Sequence, residues 1–210
     1  MKATVPILLG AAMILVGCVV TSVCPYYTQK DLVFERGLLG SWENSKKAAE
    51  FWCFETNDVA KGGDLSYEFT LYEPSKTTVM EAHAFKLSGQ LFLDIFSLEK
   101  DFHVIPAHYV LKVSQLEPYL RLSELNDDWL KDLLAKNPAA LHHQFVETGD
   151  EPGDQRIVLT GDTPELQEFL VMHLKTKGAW KDSFELHRDY ASNGHPSHKR
   201  GHASVAQDSP

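Results

Sequence analysis

Cysteine is scarce in this chain: three among 210 residues, at positions 18, 24 and 53. So few exclude a small domain stapled by several disulfides. No Cys-x-x-Cys pair and no Cys/His spacing of a zinc site occurs. Positive charge is also in deficit, with 20 Lys and Arg against 29 Asp and Glu for a net charge of −9. Lys2 is the one charged residue of the first 17, so the remainder is more acidic still. That balance argues against nucleic acid as a partner and against electrostatic adhesion to anionic lipid. Gly-x-Ser-x-Gly and His-Glu-x-x-His, two hydrolase signatures, are both missing. No internal repeat is present. The length suits one domain and is short for two.

What the chain does have begins at its start. Lys2 is followed by an almost unbroken apolar run over residues 5–16, ending in Leu15-Val16-Gly17-Cys18. A positive start, an apolar stretch and small residues before a fixed cut make a secretory signal. With cysteine at the cut, the segment resembles the lipobox of bacterial lipoproteins. The resemblance implies that Cys18 is acylated, that the chain is cleaved before it, and that acyl chains hold the protein in a membrane. Val19, rather than Asp, follows the cysteine; in that family this implies the outer membrane, facing the periplasm. Two other readings stay open. An ordinary signal peptide would leave Cys18 unmodified, and a signal anchor would stay as a helix. The uncharged span 5–23 is about 19 residues, near the lower limit for spanning. All three readings place the rest of the chain outside the cytoplasm. With Cys18 acylated, Cys24 and Cys53 are left, and an oxidising envelope favours their pairing as one disulfide. The alternative is two separate thiols, with Cys53 buried between Trp52 and Phe54.

Residues 18–37 read as the lipidated cysteine and a tether, and 191–210 as a disordered tail of Ser, His, Gly, Lys and Pro. Between them, 38–190 reads as one β-rich domain. Residues 66–73 alternate cleanly, 78–87 and 90–98 form strands about a Ser88-Gly89 turn, and strands follow at 108–116 and 119–125. Asn126 is suited to cap a helix whose apolar stripe is Trp129, Leu130, Leu133 and Leu134. Thr163 is suited to cap a second helix with Pro164 at its first position and Leu166, Phe169 and Leu170 on one face. Short strands are expected at 142–146 and 156–160.

Turn positions fix a register for the central strands. The Ser88-Gly89 turn sets Phe85 opposite Phe92 and His83 opposite Asp94; a 74–77 loop sets Phe69 opposite Ala82 and Glu68 opposite His83. Both give the same two faces. Tyr67, Phe69, Leu71, Met80, Ala82, Ala84, Leu91, Leu93 and Ile95 form the core side. Glu68, Thr70, Glu81, His83, Phe85, Phe92, Asp94 and Phe96 form the other. Two alanines among long side chains leave room for a packed helix or for a ligand.

Leu39-Gly40-Ser41-Trp42 opens the first strand of the domain. Gly-x-Trp at that place resembles the lipocalin family, some members of which are lipidated in bacteria. The resemblance implies an eight-stranded barrel closed at one end by Trp42 and holding a small apolar ligand. The chain departs from the family by setting a helix among its strands and by lacking a later Thr-Asp-Tyr motif. The expected fold is therefore mainly β with helices: an antiparallel lipocalin-like barrel or strongly curved sheet with two packed helices. The alternative is an α+β sheet covered by helices. On the carrier reading, Trp42, Tyr67, Phe69, Ala82, Ala84 and Leu93 line the ligand cavity. A second reading is a non-catalytic scaffold of an envelope complex with a filled core and an aromatic patch around Phe85, Phe92 and Phe96. A third is an enzyme of hydrolase type. Glu68, His83 and Asp94 fall side by side with Glu81 close by, and a His between carboxylates can act as a base or a ligand. A solvated polar face contains the same residues, and no nucleophile stands beside them. His195, His198 and His202 are weak metal candidates in the tail. No cofactor is expected.

Overall fold

The computed structural model describes residues 19–44, 46, 47, 49–56, 65–97, 107–147 and 155–190. Among these residues, eleven strands form one continuous sheet. They are β1 (Thr21–Ser22), β2 (Gly40–Asn44), β3 (Phe51–Thr56), β4 (Ser66–Tyr72), β5 (Thr77–Leu87), β6 (Gln90–Ser97), β7 (His108–Gln115), β8 (Tyr119–Glu124), β9 (His143–Glu147), β10 (Gln155–Leu159) and β11 (Phe184–Arg188). Among the described residues, α1 (Asp127–Lys136) and α2 (Thr163–Met172) are the α-helices.

The strands β2 to β8 pair in sequence, β11 fits between β8 and β2, and every one of these pairings is antiparallel. That closes an eight-stranded barrel. The covered-sheet alternative is set aside by the closure. The remaining three strands form a flap: β1 joins β7 at Ser22–His108, β10 runs parallel to β1, and β9 lies outermost on β10.

Two apolar clusters follow from the strand alternation. Inside the barrel lie Trp42, Trp52, Phe54, Tyr67, Phe69, Ala82, Ala84, Leu93, Leu111, Leu120, Leu122 and Leu186, with their neighbours. Outside the wall, Phe85, Phe92 and Val110 project from β5, β6 and β7 into a second cluster with Tyr26, Leu130, Leu134, Ile157, Leu159, Leu166 and Phe169. The segment between β8 and β11, carrying both helices, is thus a second layer laid over one side of the barrel. Asn126 caps α1 by accepting from Asp128 N and Trp129 N. In α2 the cap is Asp162, not Thr163; Thr163 is the first helical residue and its hydroxyl donates to Pro25 O at 2.8 Å.

Two further expectations of the fold need correction. The 18–37 tether is not separate from the domain. Val20, Tyr26, Leu32 and Leu38 are buried, Val33 N donates to Ala84 O at 2.9 Å, and the segment crosses β6 and β5 before entering β2. Its apolar residues lack regular spacing because it packs as an irregular strap. The second correction is the β4–β5 register. Glu73 and Lys76 exchange main-chain hydrogen bonds, so Pro74 and Ser75 alone make the turn. Phe69 faces Met80, Glu68 faces Glu81 and Ser66 faces His83. The slip is two residues, so both faces survive it. The Ser88-Gly89 hairpin has Phe85 on Phe92 and His83 on Asp94, as expected.

Candidate functional site

Gly40 and Trp42 lie where the turn before β2 is tied to the last barrel strand. Trp42 is wholly buried and its indole Nε1–H donates to Leu38 O at 2.8 Å. Arg188 of β11 lies over the indole face at 4.2 Å and donates to Leu39 O and Gly37 O, each at 2.7 Å. The guanidinium therefore joins the last barrel strand to the turn that precedes the first. Gly40 holds φ +108°, and a Cβ there would meet Arg188 Nη1 at 3.1 Å. Both reasons demand glycine. Beside this plug, the Tyr67 hydroxyl accepts from Glu35 N at 2.6 Å, and Phe34 stacks on the Tyr67 ring at 5.1 Å. Burial pushes the Tyr67 phenol up to about 12.

The six residues expected around a cavity stand together inside the barrel, but against each other. Trp42, Tyr67, Ala82, Ala84 and Leu93 are 0% exposed and Phe69 1%. A water-sized void beside any of them would give it measurable exposure. Phe54 stacks on Phe69 at 4.8 Å, and Trp52 meets Phe69 at 5.0 Å and Phe184 at 5.7 Å. The aromatics of β3 and β4 share one buried cluster with Ala82 and Ala84. Among the described residues, two surface clefts lie outside the barrel. One, about 410 Å³, is lined by Lys112, Ser123, Lys175, Trp180 and Lys181. The other, about 610 Å³, lies between the Ser88 turn and α2, with Leu87, Pro164, Val171 and Met172.

At the barrel rim near α1, Lys181 bonds Asp127 at 2.9 Å and Glu124 at 3.3 Å. Burial alone would lower its pKa, but the two carboxylates outweigh burial and hold it above the usual range. Tyr109, facing inward from β7, has its phenol raised well above the ordinary value by burial, with Glu124 adding to it. Lys112 lies over Trp180 at 4.6 Å, and desolvation lowers it.

The expected Glu68–His83–Asp94 constellation is divided. Glu68 is exposed and faces Glu81 because of the tighter turn. His83 is buried, its Nε2 is 3.2 Å from Glu81 Oε1, and its ring stacks on Tyr27 at 4.6 Å. Asp94 is 0% exposed; its Oδ2 accepts from Tyr26 N at 2.9 Å, and its Oδ1 is 2.7 Å from His108 Nδ1. Asp94 is thus engaged in holding the N-terminal strap on the wall. Phe85 and Phe92 are 0% exposed beneath the second layer, and only Phe96 of the expected aromatic patch is half-buried. The outer face of β5 and β6 carries aromatics because the inserted layer covers it.

Cys24 and Cys53 are not joined; both are thiols. Cys24 packs against the second cluster beside β1, while Cys53 faces outward on β3, with Ser41 Oγ at 3.7 Å. The order of strands puts β3 four positions from β7 in either direction round the barrel, beyond the reach of a disulfide. Burial raises the Cys53 thiol pKa. Cys18 and the tail residues His195, His198 and His202 lie outside the described residues. Among the described residues, no group of three or more His, Cys, Asp and Glu could hold a metal ion, and no helix is long and apolar enough to cross a membrane.

Arg188, Asp94 with His108, and Lys181 with Asp127 carry the closures, and of these only Asp94 was in view from the sequence. The alternation of Phe184, Leu186 and Arg188 against Glu185 and His187 was the available signal for β11. Comparison with protein-family models, with curated proteins and with solved structures gave no match.

Proposed function

We propose that this is a lipid-anchored protein of the bacterial cell envelope, held through acyl chains on Cys18 at the outer membrane. Its lipocalin-like barrel is a rigid, non-catalytic scaffold that presents its outer surface to partners. The observation that carries the reading is the filled interior. A core of buried, mutually stacked aromatics gives stiffness and leaves a ligand little volume without moving rings. Carriage of a small apolar ligand inside the barrel would need Trp52, Phe54 or Phe69 to swing away together.

Ala84→Phe separates the two. A packed interior predicts a loss of about 1–3 kcal/mol through overpacking, read as a lower thermal midpoint. Native mass spectrometry of protein taken from its own membrane is expected to find the barrel without a retained small molecule. A bound apolar compound in the wild type, together with a neutral Ala84→Phe, would overturn the scaffold reading in favour of a carrier.

The anchor has its own test. The wild-type intact mass is expected to be that of a chain beginning at an acylated Cys18, and Cys18→Ala is expected to leave the membrane fraction or persist as precursor. A mature chain starting at another residue removes the anchor from the proposal.

A further inference from the structure

The flap ends in an edge that carries its own complement. Strand β9 reads His143-Gln144-Phe145-Val146-Glu147 and pairs with β10 on one side only; among the described residues no strand adjoins the other side. Thr160 N donates to His142 O at 2.9 Å, one step beyond the His143–Leu159 pair. In an antiparallel ladder, residues alternate between turning both main-chain groups toward the partner and turning both away. Gln144 and Val146 therefore bond to β10, while His143, Phe145 and Glu147 turn their N–H and C=O groups to the outer edge. The other strand agrees: Leu159, opposite His143, sends its carbonyl away from β9 to Val23 N at 3.0 Å.

Natural sheet edges are guarded by lysine, proline, a bulge or a covering element. β9 contains no lysine and no proline, and its pairing with β10 runs without a register shift. Phe145 is 41% exposed and Val146 44%. Phe145 sits across from Ile157, which is buried in the second cluster, so an apolar face runs to the edge and stops there open.

We propose that this edge docks a second copy of the same chain, the two β9 strands pairing antiparallel about Phe145. The choice of occupant rests on charge. Reversed on itself, the strand sets His143 opposite Glu147 at both ends and Phe145 opposite Phe145 at the two-fold axis, with Gln144 opposite Val146 on the other face. That register also brings together every residue whose main-chain groups face outward, so hydrogen bonding and charge select the same alignment. The contact is isologous and closes at two copies, because each β9 has a single open edge. The pairing depends neither on the anchor nor on what fills the barrel.

The test is sedimentation of the full chain in detergent at about pH 5.5, where imidazoles carry charge and carboxylates remain ionised, with circular dichroism to confirm that each variant is folded. The wild type is expected to associate to dimers. Glu147→Lys, at an exposed site, sets a cation against His143 at both ends and is expected to weaken association about tenfold or more. The double variant His143→Glu/Glu147→Lys restores opposite charge in this register and is expected to recover the dimer. A wild type that stays monomeric up to about 0.1 mM overturns the proposal. A dimer indifferent to Glu147→Lys, or a double variant as dissociated as the single one, overturns it equally.

Discussion

Asp94→Ala is expected to cost about 3–5 kcal/mol, the range for removing one member of a buried, hydrogen-bonded polar pair. The carboxylate is wholly enclosed and serves two groups from distant parts of the chain, Tyr26 N at 2.9 Å and His108 Nδ1 at 2.7 Å. Its loss strands a main-chain N–H and an imidazole nitrogen in the wall between barrel and second layer. A domain of this size should melt about 6–20 °C lower. Asp94→Asn keeps an oxygen for Tyr26 N but sets an amide nitrogen toward His108, so its loss should be smaller. Hydrogen exchange over residues 19–38 adds a local readout, since the strap should open before the barrel does. An Asp94→Ala protein melting within about 2 °C of wild type, with the strap still protected, would show that the carboxylate does not hold the strap.

Trp42→Ala should be as damaging, at about 3–5 kcal/mol, because it removes a fully buried indole and leaves a hole at the barrel end. The Arg188 guanidinium would then lose the ring it covers at 4.2 Å. Arg188→Met keeps much of the stem packing but loses the donors to Leu39 O and Gly37 O, so about 1–3 kcal/mol is expected for it. The two residues touch, so the double variant should lose less than the sum of the single losses. Urea unfolding of the four proteins measures this cycle. Strict additivity would mean that Arg188 and Trp42 do not act as one plug.

The barrel was legible because its strands obey a period of two and one short turn sets their parity. Tyr67, Phe69, Ala82, Ala84, Leu93 and Ile95 were placed on one face from alternation alone, and they share the interior. The content of that interior was not legible. Two alanines signal space, but whether Phe54 and Trp52 of a neighbouring strand fill it depends on the barrel's curvature. The outer face misled for a related reason. Alternation assigned Phe85 and Phe92 to the far side correctly, while the layer that buries them comes from residues 126–180, whose docking is set by shape. His108 was out of reach as Asp94's partner because no tight turn joins β6 to β7 and fixes their register. Gly40 and Trp42 were visible as a motif, whereas Arg188 lies in a strand of five residues with three polar ones.

The place of β11 in the strand order governs when the fold can be finished. Closure pairs Arg188 with Trp42, nearly the full described length of the chain apart, after the whole helical insertion has been made. Contacts of such separation carry the largest loop-closure entropy and form slowly. Until Phe184–Arg188 arrives, β2 and β8 are raw edges facing each other across a gap one strand wide. A chain delivered to its compartment from the N-terminus would hold that gap open through most of its passage. A copy truncated before residue 184 would keep it open permanently, offering any extended segment the place meant for its own last strand.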